Sequence, residues 1–174
     1  SRGFTQRTVI FFLFFFFLLA LCGGQVGVFQ QAYVKPSNTA KDQTFAWRAA
    51  QNLDGSVSVV CALSESSSPA PAAAYVFLRT ANGTSFRWTQ FQIVTPSNAV
   101  TGSYFAFCRH VALTPDAQTL IVSAQDESGV GKGVDGNQTQ DTNAFGNSGA
   151  VYVYGRTQNG TYVQEGKTQA SLSV

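Results

Sequence analysis

Tyr75-Val76-Phe77-Leu78-Arg79-Thr80-Ala81-Asn82-Gly83-Thr84 and Tyr152-Val153-Tyr154-Gly155-Arg156-Thr157-Gln158-Asn159-Gly160-Thr161 are two versions of one stretch, 77 residues apart. Working outward, Val59-Val60-Cys61-Ala62 answers to Ile121-Val122-Ser123-Ala124 at an offset of 62. Gln30, Val34 and Pro36-Ser37-Asn38 return as Gln90, Val94 and Pro96-Ser97-Asn98 at an offset of 60, together with Phe45-Ala46 and Phe105-Ala106. The offsets only grow, so the chain holds two copies of one unit, and the second has a loop enlarged by about 15 residues.

Each copy reads as four short strands. In the second these fall near residues 89–94, 105–113, 119–124 and 150–154, rich in β-branched and aromatic residues and separated by Asn-Gly, Asp-Gly or Pro-Ser-Asn breaks. No helical period shows beyond the leader. A four-stranded unit repeated every sixty or so residues predicts blades of a β-propeller, and two blades cannot close a ring that takes about 4–8. The expected fold is therefore all-β: a partial propeller of two four-stranded blades, residues 25–87 and 88–163, preceded by a hydrophobic signal helix. The tail, residues 164–174, reads as the first strand of a truncated third blade.

The leader distorts the composition. Of 15 Phe, seven lie in the first 17 residues, and only 11% of the chain is charged, against about 25% in ordinary globular proteins. Arg2 and Arg7 precede an uncharged apolar run, residues 9–21, and Cys22-Gly23-Gly24 follows. A basic start, a short apolar stretch and small residues after it describe a secretory signal over residues 1–24, and the run is shorter than the roughly 20 residues that a spanning helix needs. An uncleaved anchor is the alternative. The chain lacks Met and is expected to be a piece of a longer protein that is secreted or held at the cell surface. Beyond the leader the basic and acidic residues balance, which argues against a nucleic-acid partner. One His and three Cys argue against a multi-histidine or Cys/His zinc site.

Gln30-Gln31-Ala32-Tyr33-Val34-Lys35-Pro36-Ser37-Asn38, Val111-Ala112-Leu113 and Ser148-Gly149-Ala150-Val151-Tyr152-Val153-Tyr154 resemble FG-GAP repeat proteins, relatives of the integrin α-chain propeller. The likeness covers most of residues 29–164. In this chain the Phe-Gly pair of the family is Phe45-Ala46 and Phe105-Ala106, and Gly-Ala-Pro is Cys61-Ala62-Leu63 and Ser123-Ala124-Gln125. The resemblance implies an aspartate-rich calcium loop between those landmarks. Only Asp54-Gly55 and Pro115-Asp116 stand there, too few oxygens for a cation that takes six to eight, so no cofactor is expected.

The enlarged loop, residues 125–150, carries Asp126, Glu127, Asp135, Asn137 and Asp141. Their oxygens recur every few positions, but the spacing matches no EF-hand. A solvated Gly/Asn-rich loop and a calcium cradle both account for them. Gly129-Val130-Gly131-Lys132-Gly133 lacks the Ser or Thr and the following helix of a phosphate loop. His110 has no nucleophile signature beside it and reads as structural. Cys61 and Cys108 fit either a disulfide or two buried thiols. Asn82, Asn137 and Asn159 head glycosylation sequons, and Asn82-Gly83 and Asn159-Gly160 also suit hairpin turns.

These observations favour an extracellular binding or adhesion module, not an enzyme. It would contact protein or glycan through its loops, with further blades of its own chain completing the ring. The enlarged loop, rather than His110 or the cysteines, is the expected binding surface. A secreted hydrolase or lyase using Arg109, His110 and Asp116, and a purely structural surface repeat, are the alternatives.

Overall fold

The computed structural model describes residues 30–64, 72–99, 106–129, 131, 133–135 and 148–169. The leader, Asn137 and Asp141 therefore lie outside the described residues. What is described is all-β, with no helix. Strands β1 (Gln43–Gln51), β2 (Val57–Ser64), β3 (Ala73–Asn82) and β4 (Ser85–Val94) form one antiparallel sheet in that order. Strands β5 (Phe107–Leu113), β6 (Thr119–Ala124), β7 (Gly133–Val134), β8 (Ala150–Arg156) and β9 (Tyr162–Gln169) form a second, ordered β5-β6-β8-β9-β7.

The sheets are two castings of one pattern. Phe45 pairs with Ala62 and Ala49 with Val60, leaving Ala46-Trp47-Arg48 as a bulge; Phe107 pairs with Ala124 and Val111 with Val122, leaving Cys108-Arg109-His110 as the same bulge. The residue after each Phe enters the left-handed region, Ala46 at φ 67° and Cys108 at φ 68°, which is where glycine costs least. The structural partner of Phe45-Ala46 is thus Phe107-Cys108, not Phe105-Ala106 as the sequence match had it.

The turns repeat as well. In the β1–β2 turn, Asp54 Oδ1 accepts from the Ser56 N–H (2.8 Å) and the Asn52 side-chain amide (2.9 Å). In the β5–β6 turn, Asp116 Oδ1 accepts from the Gln118 N–H (3.0 Å) and the Thr114 hydroxyl (2.6 Å). Ser56, through its side chain and then its N–H, holds the Asp54 carboxyl below the ordinary aspartate range, and Thr114 and then Gln118 do the same for Asp116, so the two acids left in the calcium interval serve as turn caps.

Sheet boundaries differ from repeat boundaries. Residues 89–94, expected to open the second blade, belong to β4 and pair with β3; residues 164–169, expected to open a third, belong to β9 and pair with β8. The reason lies in Pro-Ser-Asn. The Ser37 N–H donates to Gln90 Oε1 on β4 (2.9 Å) and the Ser97 N–H to Gln164 Oε1 on β9 (3.1 Å). Tyr75 donates to Asn38 Oδ1 (2.9 Å) and Tyr152 to Asn98 Oδ1 (2.7 Å). Each motif clips the chain entering a sheet onto that sheet's last strand, so the sequence period starts one strand out of step.

Packing runs front to back. One face of the first sheet buries Val60, Ala62, Tyr75 and Phe77, and Phe45 and Val34 pack on it. The opposite face, with Val57, Val59, Cys61, Ala74 and Val76, shares a core with Phe107, Leu120, Val122, Ala124, Tyr152 and Tyr154 of the second sheet. By the offsets above, those second-sheet residues are the counterparts of the first sheet's outer face. Like faces do not meet; the back of one sheet receives the front of the next. A disulfide between Cys61 on β2 and Cys108 in the β5 bulge locks the stack, with Cα atoms 5.4 Å apart. Gln92 bridges it too, donating to the Tyr162 carbonyl (2.8 Å) and accepting from the Tyr162 N–H (2.7 Å).

Candidate functional site

The loop between β6 and β8 is what the second sheet adds, and its footing is polar and buried. Glu127 is fully buried, and its Oε1 lies 2.6 Å from the Lys167 ammonium on β9, itself only 2% exposed. The Asn98 side-chain amide donates to the same oxygen (3.0 Å), while Asn98 Oδ1 accepts from the Tyr152 hydroxyl. Lys167 also sits 5.7 Å above the Tyr152 ring. Burial, then the nearby Glu127 charge, pushes the Tyr152 hydroxyl well above its ordinary range, so it stays a donor to Asn98. Two opposite charges taken out of water are tolerated here because each is paired and the carboxylate is further hydrogen-bonded.

In the first sheet Tyr75 pairs across the strands with Ile93, and in the second Tyr152 pairs with Lys167. The lysine therefore replaces an apolar residue at an equivalent position. It comes with the loop, since its partner Glu127 is a loop residue.

The loop is held at further points. The Gly149 N–H donates to the Glu127 carbonyl (2.9 Å), closing its base. Asp135 accepts from the Lys167 N–H (2.9 Å) and its own N–H donates to the Lys167 carbonyl (2.7 Å), pinning the outgoing limb to β9.

The sequence-level candidates therefore separate. Glu127, expected as a polar contact on the loop surface, is an internal anchor. Asp135 is exposed but clipped to β9, and Asp126 is half-buried beside Glu127. Among the described residues no three His, Cys, Asp or Glu side chains gather as a metal site. His110 is exposed in the β5 bulge, its N–H donating to the Ser123 hydroxyl (2.9 Å), whereas Asp116 is spent in the turn beyond β5. Asn82 and Asn159 are both exposed on hairpin turns, beside Gly83 at φ 60° and Gly160 at φ 89°. Sequence reasoning missed Lys167 and Asn98. The signal was present: a lysine in a strand whose repeat counterpart is isoleucine.

Comparison with protein-family models, with characterised proteins and with solved structures gave no match.

Proposed function

We propose that this chain is part of an extracellular binding module of FG-GAP-like propeller blades, and that the loop between β6 and β8 carries its ligand-binding surface. The observation that carries the reading is the loop's footing. Strands, bulges and turns match between the two sheets, while in the second, among the described residues, a buried ion pair ties the incoming end of an insertion to β9 and a backbone hydrogen bond closes its base. Fixed ends reduce the ordering cost that a binding loop meets when ligand arrives.

Front-to-back stacking supports the propeller: an interface between unlike faces can be repeated around a ring, whereas one between like faces ends after two. The left-handed residue after Phe45 and Phe107 supports the FG-GAP likeness, because that is where the family's glycine would fall. The disulfide supports an oxidising compartment and so a secreted or surface-held protein. Ligands are protein or glycan, contacted through the loop.

The test replaces residues 136–147 with a short Gly/Ser linker, leaving Glu127, Asp135 and Lys167 in place. Wild type and variant are compared on glycan arrays and on cell surfaces. Loss of binding with an unchanged β spectrum and intact disulfide supports the reading; binding unchanged by the replacement sinks it.

A further inference from the structure

The two equivalent bulges meet across the sheet interface and bring unlike side chains together there. Three residues in each stand opposite a single residue of the neighbouring strand, so their side chains are re-aimed relative to the rest of the strand. From the β1 bulge come Trp47 and Arg48; from the β5 bulge come Arg109 and His110. The Arg48 guanidinium lies 5.4 Å from the centre of the Trp47 ring and that of Arg109 lies 5.3 Å from it. One indole from the first sheet thus gathers a cation from each sheet.

Among the described residues no carboxylate pairs with Arg48 or Arg109. Arg48 donates to the Trp47 carbonyl (3.0 Å) and Arg109 Nε to Gln125 Oε1 (3.2 Å), among the described residues one hydrogen bond from each five-donor fork. Arg48 and His110 are exposed, Trp47 is 38% exposed and Arg109 is half-buried. The disulfide sets the patch: Cys108 belongs to one bulge, and Cys61 is the residue left opposite the other.

We propose that Trp47, Arg48 and Arg109 form a binding site for acidic polysaccharide, a second surface that does not use residues 136–147 of the loop. Each guanidinium has N–H groups without a partner among the described residues to present to a carboxylate or sulfate oxyanion, and stacking on the indole orients them before ligand arrives. The exposed part of the indole, 38% of the residue, offers an apolar surface to the sugar ring that bears the acid. That combination favours a glycan over an acidic peptide, whose carboxylates hang on flexible stems with no ring to stack.

The probes are polygalacturonate for uronate, heparin for sulfate, dextran as a neutral polysaccharide and poly-glutamate as an acidic peptide. They are titrated against the secreted chain with its disulfide intact. We expect binding to at least one acidic polysaccharide, none to dextran, and loss in high salt. The double variant Arg48→Gln/Arg109→Gln should bind at least about tenfold more weakly, since charge-assisted bonds are lost. Arg48→Lys/Arg109→Lys should fall between, keeping charge but not the planar fork, and Arg87→Gln on β4 should bind as wild type. All the substituted side chains reach solvent, so the β spectrum and disulfide should persist and serve as the folding control. Failure of wild type to bind either acidic polysaccharide, equal binding by the glutamine double variant, or equally tight binding of poly-glutamate would overturn the proposal. The chain shortened at residues 136–147 should still bind the acidic polysaccharide, which separates this site's failure from the loop's.

Discussion

The second sheet keeps the strands of the first but not its surroundings. On the back face of the first sheet, Val59, Cys61, Ala74 and Val76 are all fully buried against the second. Their counterparts on the second, Ile121, Ser123, Val151 and Val153, are open in part, Ile121 to 39%. Pattern alone therefore does not decide burial; the presence of a following sheet does. On the front face the difference reverses, since Phe107 is 1% exposed while its counterpart Phe45 is only half-buried.

That contrast is sharpest at the two phenylalanines. Each ring meets the tyrosine of its own sheet edge-on, Phe45 with Tyr75 at 5.6 Å and Phe107 with Tyr152 at 5.7 Å. The shared tyrosine contact at unequal burial makes the pair comparable, although Phe45 also meets Phe77 edge-on at 6.3 Å. Phe107→Ala should cost about 3–5 kcal/mol and Phe45→Ala roughly half of that, measured by denaturant unfolding. Equal losses would mean that the second sheet's front face is no better covered than the first's.

Lys167 probes what the second sheet has added. Lys167→Met leaves the Glu127 carboxylate buried without its cation and should cost about 3 kcal/mol. Adding Glu127→Leu should restore most of it, because an apolar pair replaces an ionic one. A double variant no better than the single would show that the carboxylate matters to the loop through bonds other than this pair.

Ala46→Gly acts in the opposite direction. A left-handed alanine is strained, and glycine relieves that strain against its own greater freedom in the unfolded chain, for a net gain of about 0.5–1 kcal/mol. Thermal unfolding reads the sign, and a loss of stability would contradict the bulge geometry.

The smallest effect is shared equally by the two sheets. Asp54 and Asp116 have carboxyls lowered by their turn hydrogen bonds. A lowered folded value gives stability that is present above the unfolded value, about 3.9, and is lost as pH falls through the folded one. Asp54→Ala and Asp116→Ala should each flatten the fall in stability below about pH 4, by similar amounts. A flattening by one alone would break the equivalence of the turns.

The two-copy organisation, the all-β class and most strands were legible because periodic apolar residues and Asn-Gly turns are local signals. The sheet boundaries were not. Pro-Ser-Asn marks the sequence period, but its work is done by hydrogen bonds to Gln90 and Gln164 on strands far along the chain. The Phe107-Cys108 equivalence was hidden for a related reason, since a match by residue type settled on Phe105-Ala106 while backbone pairing puts the bulge two residues later. Glu127 looked like one more loop acid, because burial of a charge depends on a partner 40 residues away. The Trp47 cluster joins two sheets and left no mark in either copy alone.

Both the stacking of the sheets and the extracellular reading rest on Cys61 and Cys108 meeting across the interface. Peptide mapping of the full, unreduced chain by mass spectrometry tests this directly. The account requires a cross-linked peptide pair joining Cys61 to Cys108. Free thiols at both positions, or either cysteine bonded to Cys22 instead, would contradict it.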